Sequence, residues 1–139
     1  MTPKEARDKL EKAIQTLVGD MGAGTVFKAP LGQDDANAAD LSIRGTVQHL
    51  DEPVQVGAQA IGQELQAVQV SIECRSGISA PGKAENAAEL FGTELPPLLN
   101  PDFTLYIKRF VTPPLPAIGD AAPTHYNMSV FWDGYYQLT

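Results

Sequence analysis

"THYNMSVFWDGYY", residues 124–136, decides how this chain is read. It holds the only tryptophan, three of the four tyrosines and one of the two histidines. Side chains alternate across a strand, so Tyr126, Met128, Val130 and Trp132 share one face, while His125, Asn127, Ser129, Phe131 and Asp133 share the other. The first face is large and apolar and is expected to pack against helices. The second is mainly polar, which makes His125 a surface or interface group rather than a ligand. Asp133–Gly134 is a turn signal that carries Tyr135 and Tyr136 past the strand end. Tyrosine offers large contact area at low entropic cost, so Tyr135 and Tyr136 are expected at a subunit boundary.

The same period appears upstream. Val68, Val70, Ile72 and Cys74 alternate with Gln69, Ser71, Glu73 and Arg75, and Leu41, Ile43, Gly45 and Val47 alternate with Ser42, Arg44, Thr46 and Gln48. Asp51, Glu52 and Pro53 are expected to break the second of these strands. "TVFKAP", 25–30, reads as a short strand ended by Pro30. "FTLYIKRFV", 103–111, places Phe103, Leu105, Ile107 and Val111 on one face and Tyr106 and Phe110 on the other. With apolar groups on both faces it is expected mid-sheet or covered twice.

Helical spacing takes over in two places. At residues 2–18, Thr2 and Glu5 match a capping box with Pro3 at the first helical position, and Ala6, Leu10, Ala13, Ile14 and Leu17 form one stripe. Its charged face offers Glu5–Lys9 and Asp8–Lys12 pairs at i, i+4. In the second helix Ala84, Ala87, Ala88, Phe91 and Leu95 hold the period, Gly92 weakens it, and Pro96–Pro97 are expected to stop it. Three stretches, 31–40, 51–66 and 112–123, read as long loops, the second with a ragged strand as the alternative over 54–64 and the last with four of the eleven prolines. Strands joined by loops more than by crossover helices indicate an α+β fold: one domain over 1–139, a mostly antiparallel sheet and two helices on one face.

Bulk properties narrow the function. The 139 residues suit one core, and 43% hydrophobic content is globular. A net charge of −7 disfavours a phosphate-gripping nucleic-acid binder and an anionic membrane surface. No run approaches a membrane span and no apolar signal segment opens the chain, so the cytoplasm of the producing cell is the expected location. Cys74, the single cysteine, lies in register with the apolar face and is expected to be a small buried hydrophobe.

Catalytic patterns are not evident. His49 and His125 have no partners at metal-ligand spacing. "GDMGAG", 19–24, fits neither phosphate-loop pattern, and it precedes a strand. Asp34–Asp35 and Asp51–Glu52 are adjacent loop carboxylates, and Asp34 and Asp35 lack the closing Glu of a calcium loop. No enzyme activity, cofactor or metal is expected.

The order of a short helix, strands and a loose arm, then "VQVSIEC", a small-residue turn, "KAENAAELFGTEL", "FTLYIKRFV" and "HYNMSVFWDGYY", resembles the tail-terminator, or tail-completion, proteins of long-tailed bacteriophages. The resemblance covers nearly the whole chain and rests on pattern and order. It implies a virion protein of the tail neck, assembled in the host cytoplasm. It would form a ring, expected to be hexameric, that caps the tail tube, ends its polymerisation and offers a surface to the head-side connector. Phage DNA would cross an acidic lumen without specific binding. Under that reading the loops at 31–40, with Asp34 and Asp35, and at 51–66 and 112–123 are candidate contacts. A head–tail joining ring and a small cytoplasmic ligand-binding or enzymatic domain, with Trp132, Tyr135 and Tyr136 as pocket wall, are the alternatives.

Overall fold

A computed structural model describes residues 1–20, 25–27, 41–55, 64–112 and 125–138. The elements are α1 (Pro3–Asp20), β1 (Thr25–Phe27), β2 (Leu41–Gln55), β3 (Glu64–Gly77), α2 (Pro81–Leu99), β4 (Phe103–Val111) and β5 (His125–Gln137). They form an α+β domain whose five-stranded sheet has the order β1-β2-β3-β5-β4. Only β1 runs parallel to its neighbour, and every other pairing is antiparallel.

The β3–β5 register explains the core. Val70 lies opposite Trp132, Ile72 opposite Val130 and Cys74 opposite Met128, so the apolar sets of the two strands share one face. Ile43 of β2 joins them opposite Cys74. Both helices lie on that face. From α1, Ala6, Leu10, Ala13, Ile14 and Leu17 are buried, and from α2, Ala84, Ala87, Ala88, Phe91 and Leu95. Fully burying a side chain such as Phe91 or Leu95 stabilises the fold by roughly 1.5–3 kcal/mol. Gly45 makes room for α1, because a Cβ there would meet Ile14 Cδ1. At the start of α1 the Glu5 amide donates to Thr2 Oγ1 at 3.2 Å and the Thr2 hydroxyl donates to the Glu5 carboxylate at 3.1 Å. Lys9 pairs with Asp102, at the mouth of β4, instead of with Glu5.

Four local readings change. The strand β2 does not end at Asp51 but runs to Gln55, with an irregularity in its pairing between His49 and Pro53. The helix α2 passes through Pro96 and Pro97 to Leu99. Two backbone hydrogen bonds are forfeited near its end, and the burial of Leu99 one turn beyond Leu95 offsets that loss. The strand β4 is the sheet edge rather than its middle, because β5 pairs between it and β3.

The fourth change concerns Gly134. It is not in a turn: β5 continues unbroken to Gln137. Opposite it, the pairing of β4 slips between Leu105 and Ile107. This bulge inserts Tyr106 and reverses the facing of β4, so Phe103, Lys108 and Phe110 oppose core-facing residues, whereas Ile107, Arg109 and Val111 oppose residues of the outer face. A Cβ on Gly134 would sit 2.2 Å from the Thr104 carbonyl oxygen and 2.7 Å from Leu105 Cδ2. The glycine lets the bulged backbone approach. Gly134→Ala is therefore expected to destabilise the protein by about 1–3 kcal/mol, a backbone clash of the overpacking kind. Gly82→Ala, in open space in the first turn of α2, is expected to leave it unchanged or slightly more stable. Urea denaturation of the two variants beside the parent checks both outcomes.

Candidate functional site

Two features stand out on the surface and at its margin: the aromatic end of β5 and β4, the strand that flanks it. The structure separates Tyr135 from Tyr136. Because β5 stays extended, the two side chains point to opposite faces of the sheet.

Tyr136 belongs to the core and is 1% exposed. Its ring meets Phe103 edge-on at 5.6 Å and His49 at 5.7 Å, and its hydroxyl is hydrogen-bonded to His49 Nε2 at 2.7 Å. Its expected place on the surface is thus corrected. His49 is the partner that a buried tyrosine hydroxyl needs. Sequence alone hid this pair, since the two residues are 87 positions apart.

Tyr135 lies on the outer, helix-free face and is half-buried. Its ring stands 6.3 Å from that of Tyr106, which the bulge turns outward. Beside them Arg109 donates to both Asp133 oxygens at 3.3 Å. An exposed pair of this kind is worth at most about 1 kcal/mol, so it orders the surface more than it stabilises the fold. Further along the same face, Arg75 Nε donates to Asn127 Oδ1 at 2.9 Å, and the Arg75 guanidinium lies 3.8 Å from Glu73.

The distinctive surface is β4. Large apolar side chains are exposed along it: Tyr106 by 62%, Ile107 by 46%, Phe110 by 41% and Val111 by 42%. Natural sheet edges are blunted by bulges, prolines or charges. Here the bulge and the pair Lys108–Arg109 interrupt the edge, yet Ile107, Phe110 and Val111 still face solvent. Phe110 leans on Gly92 of α2, where a Cβ would come within 2.9 Å of its ring. Next to this edge an open groove of about 400 Å³ is lined by Pro96, Pro97, Asn100, Phe103, Thr104 and Leu105. Among the described residues its walls are apolar or neutral polar.

The remaining candidates are quickly placed. Cys74 is buried, as its register requires, and burial, reinforced by the nearby Glu73 carboxylate, pushes its thiol up to about 12. It stays protonated at neutral pH and is no nucleophile. Asp34 and Asp35 lie outside the described residues, as do most of the loops 31–40, 51–66 and 112–123. Among the described residues no helix is long and apolar enough to cross a membrane. No protein-family model and no curated protein sequence matches this chain.

Burial holds the His49 imidazole below its ordinary value of 6.5 and raises the Tyr136 phenol. Through His49 the folded protein then binds fewer protons around pH 6 than the unfolded chain, whereas the Tyr136 shift acts only at alkaline pH. The stabilising contribution is complete above pH 6.5 and is lost as pH falls through the lowered value. Urea midpoints are expected to drop between pH 7.5 and pH 5.5, by less in His49→Gln than in the parent. Tyr136→Phe is expected to lose about 1 kcal/mol at pH 7.5, the usual worth of one such hydrogen bond.

Proposed function

We propose that this protein is a structural component of a long-tailed phage virion: an oligomeric ring that caps the tail tube, ends its polymerisation and presents a surface to the head-side connector. The observation that carries the reading is the combination of an acidic α+β domain with an apolar open edge, β4, beside an outward Tyr106–Tyr135 patch. Large exposed apolar groups arranged along one strand mark an interaction surface. The element order that resembles the tail terminators supplies the kind of assembly. The net charge of −7 suits a lumen that DNA crosses without adhering, since like charges repel. No catalytic residue, cofactor or metal enters this reading.

Its partners would be further copies of itself, the tail tube protein and the connector. The surface left to these partners includes Tyr135. Asp34 and Asp35 stay with the proposal as candidate contacts. Tyr136 acts only from inside the core.

The test is genetic and structural together. Deleting the gene from its phage is expected to yield tails of uncontrolled length without heads, counted by negative-stain electron microscopy. Purified protein, alone or on isolated tails, is expected to show a ring of about six times the 14.9 kDa chain mass. Tails of normal length that lack heads would overturn the terminator role and favour a joining ring. A bound metabolite copurifying with a monomer would favour the ligand-binding alternative.

A further inference from the structure

We infer, building on the ring reading, that β4 of one copy pairs with the open edge of β2 in the next, so that the sheet continues across each subunit boundary. Among the described residues, two strand edges stand without a full partner. At one end of the sheet β4 has no strand beyond it among the described residues. At the other end β1 covers only Leu41, Ser42 and Ile43 of the 15-residue β2. From Arg44 onward that side of β2 has no strand partner among the described residues.

The two edges match in height. Through successive register pairs, Val111 is level with Ser129, Glu73 and Arg44, and Ile107 is level with Asp133, Gln69 and Gln48. The flat part of β4 beyond the bulge thus spans the stretch of β2 that begins where β1 stops. An incoming β4 would meet no obstacle from β1.

Direction agrees with height. Three successive antiparallel pairings make β4 run opposite to β2. Copies related by rotation about an axis along the strands would bring the two edges together as an antiparallel pair. Such a head-to-tail contact closes a ring, whereas β4 against its own twin would stop at a two-fold dimer. Lys108 and Arg109 of β4 stand level with the uncharged Val47 and Thr46 of β2, so no like charge opposes them there. Leu50 of β2, 48% exposed and just past Gln48, adds apolar area beside Ile107.

The experiment compares the parent with Ile107→Glu by mass photometry and electron microscopy. Circular dichroism and thermal melting confirm that this exposed substitution leaves the fold intact. The parent is expected to form rings, and Ile107→Glu is expected to fall to the 14.9 kDa monomer. Lysine is then placed in turn at Thr46, Gln48 and Leu50 in the Ile107→Glu background, positions that bracket any stagger between copies. Recovery of rings at one of them supports the pairing and fixes its register. Rings that persist in Ile107→Glu would overturn the β4 contact while leaving the ring reading intact. Loss without rescue at any of the three positions would overturn the β2 counterpart. A parent that stays monomeric both in solution and on tails would remove the ring itself.

Discussion

Thirteen consecutive residue pairs, from Leu65–Gln137 to Gly77–His125, join β3 to β5 without a break. The rest of the molecule hangs on that register. It puts Val68, Val70, Ile72 and Cys74 beside Val130 and Trp132, and so creates the one face on which both helices find apolar surface. A slip of a single residue in β3 would turn Gln69, Ser71 and Glu73 under the helices. Burying the Glu73 carboxylate without a partner would cost several kcal/mol, far more than any single turn or cap restores. Because β2 attaches to β3 and β4 attaches to β5, the facing of every other strand follows from this pair.

That much was legible in the sequence because it is periodic. The stripes of both helices, the alternating faces of β2 and β3, and the split of residues 125–133 into buried and outward sets all follow from spacing. The α+β class followed from element order. What escaped was set by contacts between distant residues. The strand β4 carries apolar groups on both faces, as a central strand does, but its place is decided by the pairing of β5 with β3. A bulge then reversed its alternation after Leu105. Gly134 carries a turn signature, yet it is glycine because the bulged chain leaves no room for a Cβ. Tyr136 looked like a surface group because nothing local reveals that His49 and Phe103 close around it. Pro96 and Pro97 carry a stop signal that the burial of Leu99 overrides. Asp34 and Asp35, and most of the loops 31–40, 51–66 and 112–123, fall outside the described residues, while 51–55 and 64–66 belong to β2 and β3.

The corrections sharpen the functional account. Moving β4 to the edge turns its apolar residues from core material into exposed surface, and moving Tyr136 inward leaves Tyr135 and Tyr106 as the outward aromatic pair. The proposed assembly contact therefore lies on a rigid strand and its flank more than on loops. A strand edge recognises another strand through evenly spaced backbone groups, with side chains of alternate residues setting the choice of partner. Lys108 and Arg109 on such an edge discourage indiscriminate pairing.

Amide hydrogen exchange across residues 103–112, measured on assembled and on dissociated protein, tests the central claim most directly. Unpaired edge amides exchange freely, and strand addition protects those that gain a partner. The account predicts that those amides among Ile107 to Val111 that point away from β5 become protected on assembly, together with those among Arg44 to Gln48 that point away from β3, while the amides of β3 and β5 stay protected throughout. Assembly that leaves the exchange of β4 unchanged would contradict it.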